Sequence, residues 1–578
     1  MVKASDYLAH YLDSRGVTCV FELVGGMITH LLDSLYTQGR IRIVSMHHEQ
    51  GAAFAAEGYA RMSGVPGVAM ATSGPGATNL VTAIGSCYFD STPAVFITGQ
   101  VNRNEMRGNR PIRQMGFQET DIAAVVGPLT KAALRVGSME ELPGLLQEAF
   151  DLALGGRPGP VLIDIPMDVQ RAELKPPEPP LAVAPAPHPV EPAFLEELLS
   201  ALARAERPLV LAGGGVRSGR AGPGVQALVE RLGIPVVHSL MAVDILPYDH
   251  PLRVGMIGSY GNRWANLAIG RSDLLLVLGS RLDIRQTGAL TKAFKGEREV
   301  FHVDCDPAEL NNRLTGCRTL QADLSVFVAA MCAALEPSTL SDRSAWVEQV
   351  SRLRMQWPDT RELGDVEGIN PNLLMHQISA ASGAAAAYVA DVGQHQMWAA
   401  QSLQLAEGQR FLTSGGMGSM GFGLPAAIGA CCAVPGRPVV LVAGDGGFQT
   451  NIQELQTVFR NGLPLKMVIL NNRSHGMVRQ FQQSYFDSRF QSTMWGYSAP
   501  DFAAVASAYG IPAFSVERPE GVERALARLW EDPGAPGLLE VAISPEANVY
   551  PKIAFGHPIT EMEPFVAPVP MGEGMEGT

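Results

Sequence analysis

The chain has 578 residues, 46% hydrophobic and 17% charged, with a formal net charge of −13. That length exceeds what one core usually supports and predicts about three globular domains, while the acidic balance argues against a broad nucleic-acid surface. Seven cysteines without C-x-x-C spacing suggest neither a zinc site nor a disulfide framework and fit a reducing cytoplasm; with no apolar core at residues 1–16 and no run of 18 apolar residues, neither a signal peptide nor a membrane span is expected.

Residues 1–170 alternate two kinds of segment. Apolar runs at 19–23, 41–46, 68–72, 94–98 and 161–165 read as strands, and 28–36, 49–62, 78–88 and 140–154 read as helices, after a first helix ending at Ser14. Nearly continuous apolar strands need cover on both faces, so an α/β domain with a mainly parallel sheet is expected. Glu49 stands where a strand gives way to a helix, in His47-His48-Glu49-Gln50-Gly51. Taken alone it is a carboxylate favoured at a helix N-terminus by the helix dipole. Gly25-Gly26 makes an early turn, and Thr72-Ser73-Gly74-Pro75-Gly76-Ala77-Thr78-Asn79 is a glycine turn entering a helix, a weak anion-binding signal. Residues 102–116 carry Arg103, Arg107, Arg110 and Arg113. They read equally well as a solvated loop or as a donor-rich lip for an acidic or phosphorylated compound.

Proline and alanine dominate 171–192, which reads as an exposed linker. A second α/β unit is expected over 193–335. Its apolar runs at 208–212, 274–278 and 300–303 lead into Gly213-Gly214-Gly215, Gly279-Ser280-Arg281 and Asp304-Cys305-Asp306. Strands ending this way build either a dinucleotide crevice or a structural Rossmann-like domain. Polar residues 336–370 read as a second linker.

The third unit, 371–552, carries the strongest chemistry. An apolar run at 438–443 ends in Gly444-Asp445-Gly446-Gly447, a helix is expected over 452–459, and a run at 465–470 ends in Asn471-Asn472. The short crossover predicts parallel neighbours with Asp445 and Asn472 at their carboxyl ends, where open sheets bind ligands. A carboxylate, a carboxamide oxygen and a backbone carbonyl suit Mg²⁺, which completes its octahedron with water and phosphate oxygens, and the glycines allow close phosphate approach. Gly416-Met417-Gly418-Ser419-Met420-Gly421 spells a nicotinamide fingerprint but lacks its acidic partner. Gln394 and His395 open a helix after an apolar run, and residues 553–578 read as a tail.

Gly444-Asp445-Gly446 followed by Asn471-Asn472 resembles the motif of thiamine-diphosphate enzymes, and Asn471-Asn472-Arg473-Ser474-His475-Gly476-Met477-Val478 is most similar to the acetolactate synthase catalytic subunit. The likeness runs in order through the whole chain. It implies three α/β domains, binding the cofactor's pyrimidine (1–170), forming a Rossmann-like centre (193–335) and binding the diphosphate (371–552). By this resemblance Asp445, Asn472 and the Ser474 carbonyl hold Mg²⁺. Gln394, His395, Gly418, Gly446, Gly447, Gly476 and Met477 border the cofactor in the third domain, and Met420 props its rings together. Glu49 bonds the aminopyrimidine, flanked by Gly25, Pro75 and Asn79. Phe117, Gln118 and Lys131 correspond to substrate-access positions, and Phe481 stands where the family typically has tryptophan. Gly279-Ser280-Arg281-Leu282-Asp283-Ile284-Arg285 is close to a segment that binds FAD in a structural role; Gly213, Gly214, Arg281, Arg285, Asp304 and Asp323 are its expected contacts. The implied reaction decarboxylates pyruvate and joins the remaining unit to a second 2-keto acid, giving 2-acetolactate; the alternatives are a related carboligase with a keto sugar or phosphorylated carbonyl as acceptor and, behind it, a simple decarboxylase or an oxidase. The implied assembly is a homodimer or homotetramer with active sites at the subunit interface, and a separate regulatory subunit is left open.

Overall fold

The computed structural model describes residues 1–175, 189–335 and 341–569. Three six-stranded sheets, each wholly parallel, define three domains. In the first, the strands lie in the order Arg42–Ser45, Cys19–Leu23, Gly67–Ala71, Ala94–Gln100, Pro160–Pro166, Ala132–Arg135. In the third the order is Arg410–Thr413, Ala387–Ala390, Val439–Gly444, Leu465–Asn471, Gly537–Ala542, Ala513–Val516. Numbered within each domain, both read 2-1-3-4-6-5, so the outer domains share one topology. The central sheet runs Arg253–Met256, Val236–His238, Pro208–Ala212, Leu274–Leu278, Glu299–Asp304, Arg318–Gln321, which is 3-2-1-4-5-6. That is the dinucleotide-fold order, with its switch point between Pro208–Ala212 and Leu274–Leu278.

The outer domains are fused through one core. Phe21, Phe54 and Tyr59 of the first domain belong to the same buried cluster as Phe422, Leu424 and Leu441 of the third. The seam is a helix crossing. Helix Glu49–Ser63 is buried continuously from Gly51 to Ala60, and most of those residues are glycine or alanine. Small side chains let it meet helix Gly423–Ala433 almost backbone to backbone: a Cβ on Gly58 would lie 2.1 Å from the Ala426 carbonyl oxygen, and one on Gly429 1.9 Å from that of Ala55. Phe54 and Phe422 then meet edge to face, centroids 5.6 Å apart. The central domain has its own two clusters, one on each side of its sheet.

Several elements differ from expectation. The helix expected at 452–459 is three pieces, Asp445–Thr450, a 3₁₀ turn Ile452–Glu454 and Leu455–Arg460, because the helix starts directly on the glycines after the strand. The helix expected at 78–88 begins at Pro75, which suits a first helical turn, and is divided as Pro75–Asn79 and Val81–Phe89. Edge strand Ala132–Arg135 is only partly buried and has no apolar period to announce it. Within the stretch expected as a connector, helix Ser344–Gln356 buries Trp346, Val350 and Leu353 against the central sheet. The expected tail folds back too: Lys552–Ile553 pairs with Met562–Glu563, and Ile553 and Ile559 enter the central core. Most of the proline-rich linker and the end of the tail lie outside the described residues. No helix among the described residues is long and apolar enough to cross a membrane.

Candidate functional site

Strand order places the chemistry. In the third domain the switch point falls between Ala387–Ala390 and Val439–Gly444, and their carboxyl ends deliver Asp391 to His395 on one side and Asp445 on the other. Asn472 follows the next strand, whose register pairs Gly444 with Leu470. The expected pairing of Asp445 and Asn472 at neighbouring strand ends is therefore what the fold produces.

Asp445 opens helix Asp445–Thr450 and is 3% exposed, with Oδ2 lacking any hydrogen-bond partner. Burial pushes its carboxyl up to about 6. The Asn472 side chain donates to Gln394 Oε1 at 3.0 Å and accepts the Ser474 amide at 3.1 Å. Gln394 in turn donates to the Ala547 carbonyl at 2.8 Å. The Ser474 carbonyl accepts the Gly476 amide at 2.9 Å, which leaves its second lone pair free, and the buried Ser474 Oγ is unpartnered. Gly476 is glycine for a steric reason: a Cβ there would lie 1.9 Å from Gln394 Oε1. His395 is buried, its Nε2 has no partner, and desolvation lowers its pKa to about 3, so the ring is neutral near pH 7. Unsatisfied buried oxygens and a neutral ring nitrogen around a carboxylate fit a divalent cation and a diphosphate. At Gly446 a Cβ would meet the His475 ring at 2.7 Å and the Met420 methyl at 3.3 Å, which brings these three together. Gly418 takes φ +66°, Met420 is 40% exposed, and Met477 packs against the core beneath.

Asp391 is not among the residues that the sequence singles out, yet it builds the floor. It is 1% exposed and accepts the amides of Val392, Gly421 and Gly423 at 2.7, 3.2 and 2.7 Å. Its Oδ1 would lie 2.4 Å from a Cβ on Gly447. Burial raises its pKa to about 6. An acid directly after a strand of the switch point is the available signal.

In the first domain Glu49 heads helix Glu49–Ser63, is 7% exposed, and accepts from Asn79 Nδ2 at 2.9 Å. Its other oxygen faces Gly76, 3.2 Å from where a Cβ would stand, beside the exposed Pro75. Gly25 lies against Thr72, within 2.5 Å of it if a Cβ is added. Glu454 of the third domain, buried and raised to about 7 by desolvation, accepts the His47 amide at 3.0 Å and so registers the turn that presents Glu49. Gln118 takes φ +63° and packs on Gly74, while Phe117 is 79% exposed.

Lys131 does not join the Glu49 cluster: its ammonium donates to the carbonyls of Gly155 and Arg157, at 2.5 and 2.8 Å, because the edge strand turns it toward that loop. The arginine loop is largely committed internally. Arg103 pairs with Asp168 at 2.7 Å, Arg107 donates to the Ile112 carbonyl, and Arg110 lies against Met115. Phe481 is 41% exposed and packs with Tyr485 and Phe486.

A cavity of about 630 Å³ opens at the switch point of the central sheet. Gly214, Arg281, Arg285, Asp304 and Asp323 line it. Gly213 lies just beneath, where a Cβ would meet the Gly279 carbonyl at 2.1 Å. Arg281 pairs with Asp283, and Asp323 caps the following helix through the Ser325 amide. Burial raises the Asp304 carboxyl.

Comparison with known proteins agrees with this geometry. Residues 2–125 match the thiamine pyrophosphate enzyme N-terminal TPP binding domain, 195–331 its central domain and 391–541 its C-terminal TPP binding domain. The chain is 40% identical to acetolactate synthase isozyme 2 large subunit of Escherichia coli (strain K12), over 97% of this chain and 99% of that protein. It is 38% identical to chloroplastic acetolactate synthase 2 of Zea mays, over 97% and 88%, and 36% identical to the acetolactate synthase large subunit of Corynebacterium glutamicum, over 98% and 90%. The chain belongs to the thiamine pyrophosphate enzyme family and is closely related to the acetolactate synthase large subunit.

Proposed function

We propose that the chain is an acetolactate synthase-like carboligase, in which two pyruvates and one proton give 2-acetolactate and carbon dioxide. The observation that carries this reading is the pair of unpartnered buried oxygens, Asp445 Oδ2 and Ser474 Oγ, beside Asn472 at the ends of neighbouring strands, in a chain that matches acetolactate synthases along nearly its whole length. Bound thiamine diphosphate supplies an electron sink for decarboxylation. Asp445, Asn472 and the Ser474 carbonyl would hold Mg²⁺, and His395 and Gln394 would border the diphosphate. Glu49, oriented by Asn79, would present its carboxyl to the aminopyrimidine. Phe117, Gln118 and Phe481 would shape the substrate side.

Phe117, Met420 and Phe481 are 79%, 40% and 41% exposed in the single chain. Apolar side chains this open at a binding site favour a homo-oligomer whose second copy completes it. The central cavity, with glycines at the switch point and both cationic and acidic groups on its walls, supports FAD as a structural ligand. Seven free cysteines accord with a cytoplasmic setting.

The test mixes purified protein with thiamine diphosphate, Mg²⁺, FAD and labelled pyruvate, with products followed by mass spectrometry. Rapid labelled acetolactate from pyruvate alone is expected. Carbon dioxide release that accelerates only when another acceptor is added would refute acetolactate as the product. Flavin absorbance in the purified protein is the expected sign of FAD.

A further inference from the structure

The loop that carries Met420 runs from the end of strand Arg410–Thr413 to helix Gly423–Ala433. Both of its ends are gripped by carboxylates. Asp391, from its own domain, holds the far end through Gly421 and Gly423. The near end is held by a residue of the first domain. Asp90 accepts the Gly415 amide on Oδ2 at 2.9 Å and the Gly416 amide on Oδ1 at 2.6 Å. Its side chain is 2% exposed.

Asp90 is itself fixed. Arg61 donates to its Oδ2 at 3.0 Å and to Thr92 Oγ1 at 3.1 Å, and also reaches the Thr413 carbonyl at the strand end. Arg410 donates to the Arg61 carbonyl at 3.0 Å and to Asp244 of the central domain at 2.8 Å. Ser86 and Ser414 hydroxyls meet at 3.2 Å, and Gly85 leaves room for Met417, whose sulfur would lie 2.7 Å from a Cβ there. A Cβ on Gly416 would lie 2.7 Å from that of Phe89, so glycine there lets the loop pack directly on the first domain. Asp90, Gly415 and Gly416 also form part of the central cavity wall.

We infer that Asp90, locked by Arg61, is a positioning residue that fixes residues 414–421 and thereby aims Met420 at the cofactor. The inference rests on the thiamine diphosphate reading above. A charge-assisted bond to two successive amides holds a loop more firmly than its own short glycine-rich backbone can. Asp90 touches neither the reacting atoms nor the metal site.

The test substitutes Asp90→Asn, which keeps the shape but turns an NH₂ toward one of the two amides. Hydrogen exchange of peptide 414–421 is measured without cofactor, and thiamine diphosphate affinity is measured by titration in Mg²⁺. Faster exchange confined to that peptide is expected, with a dissociation constant raised by about tenfold. If Asp90→Asn does not fold, Arg61→Lys, which retains the charge but loses the fork, is read by the same two measurements. Unchanged exchange, or faster exchange with unchanged affinity, overturns the assignment. A wild-type protein that binds no thiamine diphosphate overturns the cofactor reading instead, and the exchange result then decides separately whether Asp90 clamps the loop.

Discussion

Two glycine-to-alanine changes in helices should move stability in opposite directions. Gly144, in helix Leu142–Leu154, is exposed and would find nothing within 4 Å of a new Cβ. Alanine there gains helix propensity and should stabilise by about 0.5–1 kcal/mol. Gly429, in helix Gly423–Ala433, gains the same propensity, but its Cβ would stand 1.9 Å from the Ala55 carbonyl oxygen and 2.7 Å from the Ala55 carbonyl carbon. An ordinary carbon–oxygen contact needs more than about 3 Å, so the two helices must separate by roughly 1 Å or more along their seam. Overpacking of a well-packed core costs about 1–3 kcal/mol, and backbone on the opposing side puts this case at or above the top of that range. The lost contacts include the Phe54–Phe422 pair, and the helix displaced is the one headed by Glu49. Urea denaturation followed by far-UV circular dichroism should show a lower midpoint for Gly429→Ala and a slightly higher one for Gly144→Ala. A Gly429→Ala protein as stable as wild type would show that the crossing is not this close.

Glu57 is fully buried beside Arg61, at 3.5 Å, and burial raises its pKa from 4.5 to about 7. The native state then holds a proton that the unfolded chain has released, so stability falls as pH rises from about 4.5 to about 7 and levels above that. Glu57→Gln should flatten this slope, by on the order of 3 kcal/mol across the window, in denaturation curves at stepped pH; a variant that keeps the wild-type slope would rule Glu57 out as its source. Asp445→Asn removes the one charged group among the proposed metal ligands. Calorimetric titration should show Mg²⁺-dependent thiamine diphosphate binding weakened by about 100-fold or more, and equal affinity would remove Asp445 from the ligand set.

The strands that end at the candidate site and at the central cavity are legible because most are continuous apolar runs stopped by a glycine or a polar residue: 208–212 and 274–278 coincide with the observed strands, and 438–443 and 465–470 lie within one residue of theirs. Asp445, Asn472 and Glu49 stand out by their places at those ends. Asp391 sits in an equivalent place but stays hidden, because its work, binding three backbone amides, leaves no mark in the residue pattern. Asp90 and Glu454 act across domains, on Gly415, Gly416 and His47, and separations of hundreds of residues carry no local periodicity. Lys131 is assigned by correspondence of position, whereas its direction is set by carbonyls 24 and 26 residues away. The folded-back terminus reads as a tail because its few buried apolar residues are scattered among glycine, proline and charge.

The shared core of the outer domains has a consequence for how the protein is made. Helix Glu49–Ser63 leaves the ribosome early, but its cover, helix Gly423–Ala433, is encoded 360 or more residues later. At about 5–20 residues per second, that interval is on the order of half a minute. Throughout it the first domain presents a small-residue apolar groove, ringed by Phe54 and Tyr59, with nothing of its own to close it. The central domain can close one side of its sheet in the meantime, while the other side still awaits Ile553 and Ile559. The last domain to emerge is thus what completes the first, and the residues that follow it complete the middle.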